Sequence, residues 1–212
     1  RLRVETTASI INRPDTIVIA SVSAIYSLGN PSDYRDLAFP IKVGDHISRK
    51  ELITKLIAIQ YKRNDIERMP GTFSVLGDVL QVYLPYMASS LRIELFDETI
   101  EHLELIDRNN QSVCSTLDDM LIFPAKHFVT TDDKLKSAIV QIRGDLQSEL
   151  KKIESDVKRE RLRNRVLHDI EMLEETGYCS GIENYSRYFD GRIAGSPPFC
   201  LFDFFEKDFL LI

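Results

Sequence analysis

Thr72-Phe73-Ser74-Val75-Leu76-Gly77-Asp78-Val79-Leu80-Gln81-Val82-Tyr83-Leu84 is the stretch that decides the fold of the middle of this chain. Phe73 and Val75 alternate with Thr72 and Ser74, Gly77-Asp78 interrupts, and an apolar run resumes at Val79. Period-two alternation broken by a Gly-Asp pair reads as two strands joined in a hairpin or a bent pair. Further on, Leu91, Ile93 and Leu95 alternate with Arg92, Glu94 and Phe96. His102 to Ile106 is another candidate strand, Asn109-Asn110 a turn, and Leu121 to Phe123 a last strand before Pro124. On the other side of the hairpin, Ser48 to Gln60 places Leu52, Leu56 (with Ile53) and Ile59 at helical spacing. Ser48 followed three residues later by Glu51 has the pattern of a capping box. From about Tyr34 to Phe128 the sequence therefore predicts a small β-rich domain with one early helix.

The flanks read differently. Leu135, Ile139, Ile142, Leu146, Leu150, Ile153 and Val157 step by three or four, and Leu162, Val166, Ile170 and Leu173 continue after a phase shift. No proline falls between Ala125 and Ser196. This predicts a long amphipathic helix or a helical pair, capped at its start by Thr130 or Thr131 and ended by Gly177 in a left-handed cap. Thr16 to Val22 is a short β-branched apolar run and reads as a buried, parallel strand with a loop at its carboxyl end, where open α/β sheets place ligands. An apolar strand is also expected from Asp208 onward. The start at Arg1 and the apolar end at Ile212 suggest that the sequence is cut from a longer one.

Composition bounds function. At 43% hydrophobic and 28% charged residues the chain has the makeup of a globular protein with a real core, not a disordered tail. The net charge of -6 argues mildly against a dedicated nucleic-acid module. Cys114, Cys179 and Cys200 are odd in number and widely spaced, which suggests neither a zinc site nor a disulfide framework and fits a reducing compartment. No apolar run is long enough for a membrane span, so no membrane partner is expected and a soluble cytoplasmic protein is. No phosphate-cradling P-loop, dinucleotide fingerprint, nucleophile elbow or HExxH pair occurs, and His46, His102, His127 and His168 are isolated. No catalytic residue and no metal ligand is assigned.

Two charged features stand out. Arg92 and Glu94, two apart in an alternating strand, point opposite to Leu91, Ile93 and Leu95, so they form an exposed mixed-charge face suited to registering a partner protein. Arg63, just past the early helix, is read as adding to it. The basic run Lys151-Lys152, Lys158-Arg159, Arg161, Arg163 and Arg165 is interrupted by Glu154, Asp156 and Glu160, and its spacing reads as a solvated helix face laced with ion pairs.

Several stretches resemble the UvrB family of bacterial nucleotide excision repair. Ile19-Ala20-Ser21-Val22-Ser23-Ala24-Ile25-Tyr26-Ser27-Leu28-Gly29 is similar to VASVSCIYGLG. Gln60 to Asp65 is similar to QYxRND, Gly71 to Val79 to GTFxVxGDV, and Ile122 to Val129 to IFPASHFV. Gly177 to Arg187 is close to GFCSGIENYSR, and Asp203-Phe204-Phe205 with Asp208-Phe209-Leu210 resembles DYFPDDFL. The matches run in order over essentially the whole chain.

The resemblance implies a helicase-like ATPase that receives damaged double-stranded DNA from UvrA, clamps it with a β-hairpin and recruits the UvrC nuclease. It implies a mixed α+β fold: part of a RecA-like α/β domain at 1–33, a UvrA-interaction domain at 34–128, a long-helix domain at 129–195, and a return to the first domain at 196–212. It implies ATP with magnesium for the full-length protein and no cofactor for this stretch. The family's P-loop and Tyr-rich hairpin would lie before Arg1 and its DExH box after Ile212, so this stretch is expected neither to hydrolyse ATP nor to clamp DNA alone.

Residue by residue, the resemblance implies UvrA contacts for Arg63, Arg92 and Glu94, and positions near the DNA path for Arg3, Arg165 and Glu183. The sequence departs from the family where Ser74 and Leu76 replace two arginines, where Ala24 replaces a cysteine, and where Val4-Glu5-Thr6 follows Arg3. The contrasting expectation is an interaction module like that of transcription-repair coupling factor. A third is an independent nucleic-acid-binding domain, which the acidic balance disfavours.

Overall fold

The computed structural model describes residues 2–26, 28–128, 130–205 and 208–211. In chain order the helices are α1 (Leu2–Asn12), α2 (Val22–Ile25), α3 (Pro31–Asp36), α4 (Arg49–Ala58), α5 (Asp132–Lys152), α6 (Asp156–Thr176) and α7 (Ser186–Asp190). The strands are β1 (Phe39–Lys42), β2 (Lys62–Arg63), β3 (Thr72–Leu76), β4 (Val79–Tyr83), β5 (Ser89–Phe96), β6 (Thr99–Asp107), β7 (Val113–Leu117) and β8 (Asp119–Ile122). Short 3-10 turns lie at Ile182–Tyr185 and Leu201–Phe204. The fold is mixed α+β, as expected.

Strands β2 to β7 form one six-stranded sheet in sequence order, antiparallel except at the parallel β2–β3 edge. The Gly77-Asp78 break is the β3–β4 turn, with Leu76 opposite Val79 and Gly77 at a φ of 62°. One face of the sheet is apolar. Phe73, Leu80, Val82, Leu91, Ile93 and Leu103 are buried there with Leu52 and Leu56 of α4 in one core. Each of those leucines is completely enclosed, worth about 2 kcal/mol apiece. Ser48 caps α4 through its hydroxyl, which accepts from Glu51 N–H at 3.2 Å, while the Glu51 carboxylate faces Lys55 at 3.4 Å.

Strands β1 and β8 pair antiparallel, Phe39 against Ile122, and tie the first and last strands of this unit together. The chain just after β8 is held by three buried tyrosines. Tyr61 donates to Phe123 O at 3.2 Å, Tyr86 Oη accepts from Phe123 N–H at 3.0 Å, and Tyr34 donates to Pro124 O at 3.4 Å. Burial raises all three phenols, Tyr86 to about 12, so they stay protonated.

The helical run is a pair, not one helix. Helices α5 and α6 are antiparallel: Arg143 reaches Glu174 at 2.9 Å while Arg159 reaches Leu150 O at 3.2 Å. The break at 153–155 resets the phase, and Ser155 caps the second helix by accepting from Lys158 N–H. Val157 therefore leaves the apolar series and is exposed, while Ala138, Ile139, Ile142, Leu146, Leu150, Val166, Ile170 and Leu173 build a second core. Thr131 sits at the cap of α5 without a side-chain bond, and Gly177 ends α6 at a φ of 66°.

Two strand expectations fail. Residues 16–21 carry no regular structure, and Ile17 and Ile19 are 91% and 97% exposed. A buried parallel strand needs a hydrogen-bonded neighbour on each side, and no described segment pairs with this one. Residues 208–211 likewise form no strand, and Phe209 instead stacks on Phe205 at 4.9 Å. Helix α1, which the sequence reading left unassigned, packs Ala8 and Ile10 into the sheet core along with Leu201 and Phe204.

Candidate partner-docking face

The face of the six-stranded sheet away from α4 is built by the register. One cross-strand row reads Ser74, Gln81, Arg92, Glu104 and Thr116, and the next reads Leu76, Val79, Glu94 and His102. Arg92 lies 2.6 Å from Glu94 and 3.6 Å from Glu104. All three are partly exposed, so one cation is held between two carboxylates on a rigid β surface. Glu104 was not singled out from the sequence. The signal was there, since His102 and Glu104 alternate with Leu103 and Leu105, but its pairing with Arg92 needs the β5–β6 register.

Apolar side chains border this cluster at the hairpin tips. Leu76 is 84% exposed and Phe96 is 68% exposed. The β5–β6 turn places Asp97 and Glu98 at φ of 46° and 62°, a mirror-image turn that usually favours Asn and Gly. It is held by Ile47 N–H donating to Glu98 O at 2.7 Å and by the His46–Thr99 bridge. Ser74 and Leu76, the two departures from the family pattern, lie in the same two rows as Arg92 and Glu94. The face thus carries a small hydroxyl and an apolar chain where relatives resembling it carry arginines.

Arg63 stands elsewhere. It is in register with inward-pointing Phe73 on edge strand β2, out of phase with Arg92 and three strands away, about 14 Å. Its guanidinium pairs with Asp65 at 2.9 Å, and Asp65 also accepts from Val75 N–H at 2.9 Å. The guanidinium and the backbone N–H hold the Asp65 carboxyl below its usual range. The expected single face of Arg63, Arg92 and Glu94 is therefore a face plus an edge.

Arg3, Arg165 and Glu183 are not one cluster. Arg3 is on α1 and donates to Tyr26 O at 3.3 Å. Arg165 is on the exposed side of α6, beside Gly181, and Glu183 is in the 3-10 turn that follows. Arg165 and Glu183 form no ion pair.

The stretch from Gly177 to Arg187 has a structural account. Gly177 and Gly181 take left-handed conformations that turn the chain back, and Ile182 enters the helical core. Tyr185 donates to buried Asp169 at 2.7 Å, and Arg187 binds Asp145 at 2.5 Å with Tyr188 donating to the same carboxylate at 2.9 Å. Next to it, the Asp190 carboxylate is buried against Arg192, which also holds Ser186, and burial pushes Asp190 up. Burial pushes the Cys179 thiol to about 11, which keeps it inert, whereas Cys114 on β7 is exposed, against the expectation of buried structural cysteines. His127 is buried between Tyr34 and Phe204 and contacts Thr7 Oγ1 at 3.1 Å, and burial lowers it to about 4.

Comparison with known proteins places these units. The UvrB interaction domain model matches residues 39–128, the β1-to-β8 unit with the chain that its tyrosines hold. The UvrB third helical domain model matches residues 133–191, from α5 through α7. This chain belongs to the UvrB family. It is 44% identical over 212 residues to UvrABC system protein B of Methanosarcina acetivorans, covering 100% of this chain and 32% of that protein. It is 44% identical over 214 residues to the protein of that name from Thermotoga maritima, and 42% identical over 214 residues to that of Synechococcus elongatus, with the same coverage. The chain thus spans about a third of the length of the curated relatives it matches. The coupling-factor-like alternative is not favoured, because the match to UvrB continues through the helical domain. Among the described residues no helix is long and apolar enough to cross a membrane.

Proposed function

We propose that this chain serves nucleotide excision repair as part of the B subunit of a UvrABC system, and that it docks UvrA through the outer face of the six-stranded sheet. The observation that carries the reading is the Arg92–Glu94–Glu104 cluster, set on a rigid sheet inside the segment that matches the UvrB interaction domain. Fixed charges of both signs select a partner's orientation more than they add affinity. The exposed Leu76 and Phe96 beside them supply area that a partner can desolvate. Arg63 contributes from the sheet edge.

Damaged double-stranded DNA and UvrC are partners of the longer protein in this reading, with Arg3, Arg165 and Glu183 facing the DNA side. The units are 34–128 for docking and 129–195 for the helical scaffold, with 1–33 and 196–212 belonging together; Ala8, Ile10, Leu201 and Phe204 sharing one core supports the last pairing. The setting is the cytoplasm. ATP with magnesium belongs to the full-length protein. The loop at Gly29, next to the run that resembles a nucleotide-binding-fold strand, is filled by the His127 carbonyl, which stands 2.3 Å from where a Cβ would be. The residues here do not fit a phosphate cradle, and no step is routed through nucleotide.

The test is a calorimetric titration of this chain with its cognate UvrA, beside an Arg92→Glu/Glu94→Arg double variant. The swap preserves the internal ion pair but reverses the charges a partner meets. The parent binds and the folded variant loses at least about tenfold in affinity, the order expected for a fixed charge pair at an interface. Equal binding by both proteins removes this face from the contact.

A further inference from the structure

The cations of α6 divide into two kinds. Arg159 is tied to Asp156 at 2.6 Å and to the carbonyls of Leu150 and Ile153, and Arg163 is tied to Glu160 at 3.4 Å. These are the intrahelical pairs and caps that the sequence spacing predicts. Lys158, Arg161 and Arg165 are exposed and have no carboxylate partner among the described residues. At 3.6 residues per turn they fall, with His168, within about a quarter of the helix circumference. Glu160, Glu171 and Glu174 take the opposite exposed flank along with Arg163. The buried positions Val166, Asp169, Ile170 and Leu173 fill the remainder. The helix surface is therefore segregated: one flank neutralised by its own carboxylates, the other uniformly cationic. A chain of net charge -6 with carboxylates in excess that nevertheless leaves three adjacent cations unpaired is arranged to meet anions there.

We propose that Lys158, Arg161 and Arg165 form a phosphate-binding stripe that follows the sugar-phosphate backbone of one DNA strand. The spacing fits a polyanion. At a rise of about 1.5 Å per residue the stripe is about 10 Å long. A B-form strand presents a phosphate about every 3.4 Å along its axis, so about three phosphates lie beside three cations. The contact is independent of sequence, because it engages phosphates and no base edges. It rests on the excision-repair reading above and assigns to the helical domain a share of DNA binding separate from the UvrA face. Arg161 and Lys158 are new to the DNA side. Arg165 is placed among them by helix phase, whereas Arg3 and Glu183 lie off the stripe.

The experiment measures binding of the full chain to a fluorescein-labelled duplex and to the matching single strand by anisotropy, from about 20 to about 200 mM salt. The stripe triple variant Lys158→Gln/Arg161→Gln/Arg165→Gln is compared with a charge-matched triple on other surfaces, Lys50→Gln/Lys136→Gln/Lys152→Gln. The three single stripe variants and circular dichroism melting accompany them. The stripe triple lowers the slope of log K against log salt by about 2 to 3, and each single lowers it by about 0.7 to 0.9. The control triple changes it by less than one such step.

An equal loss in both triples reduces the effect to net charge and overturns the stripe. So does a parent that binds neither DNA at the lowest salt. The UvrA titration is an independent measurement, so the docking reading survives that result. A stripe triple that keeps its DNA slope but weakens UvrA binding makes this flank a protein contact and also overturns the proposal.

Discussion

Two glycines in the helical hairpin separate backbone strain from helix propensity, because the same substitution moves stability in opposite directions. Gly144 lies in the interior of α5, exposed, with nothing within 4 Å of an added Cβ. Gly177 ends α6 at a φ of 66°, donates its N–H to Leu173 O at 2.9 Å, and would bring a Cβ to 3.1 Å from Gln60 Nε2. Alanine at 144 removes the entropy cost of a glycine in a helix and stabilises by about 0.5 to 1 kcal/mol. Alanine at 177 forces a left-handed conformation on a residue with a Cβ and costs about 1 to 2 kcal/mol. Gln60 adds little to this, since the near atom is the end of a flexible side chain. For a chain of this size each kcal/mol shifts the midpoint by about 2 to 4 °C. Gly144→Ala therefore melts a few degrees above the parent and Gly177→Ala a few degrees below it, followed by helical circular dichroism. A stabilised Gly177→Ala refutes the left-handed termination of α6. A destabilised Gly144→Ala refutes the open surface assigned to α5.

Leu173→Ala empties a fully buried position in the helical core and costs about 2 to 5 kcal/mol by urea unfolding, while Glu174→Gln, at the exposed pair with Arg143, costs under about 1 kcal/mol. His127 gives a pH signature. Its folded value near 4 is below its usual 6.5, so its contribution is complete above about pH 6.5 and is lost as pH falls towards 4. That term amounts to roughly 3 kcal/mol, and His127→Gln flattens the acid limb of stability against pH; an unchanged limb means that His127 is charged or solvated in the fold.

The β-rich unit was legible in the sequence because local pattern and burial agree there. Phe73, Val75, Leu91, Ile93 and Leu95 face inward at period two, and the Ser48 cap and the Gly77-Asp78 turn stand where their chemistry requires. The helical pair was legible except at its hinge. Ser155 is a weak local signal inside an unbroken amphipathic pattern, and Val157 was miscounted as core because the phase resets there. Of the candidate site, Arg92 and Glu94 were visible by alternation. Glu104 was not, because its contact with Arg92 is set by strand register. Thr16–Val22 misled because an apolar β-branched run specifies a strand only when a neighbouring strand completes its hydrogen bonds.

The sequence by itself determined the identity of the family, the two cores and the cap and turn chemistry, since these rest on residue type and short-range periodicity. Tertiary structure alone decided which charges meet. It bound Arg92 to Glu94 and Glu104, sent Arg63 to the sheet edge, tied Arg187 to Asp145, and left Lys158, Arg161 and Arg165 unpaired on one flank of α6. Long flexible side chains pair with whatever lies within about 4 Å, and that distance is set by register and helix packing between residues far apart in the chain.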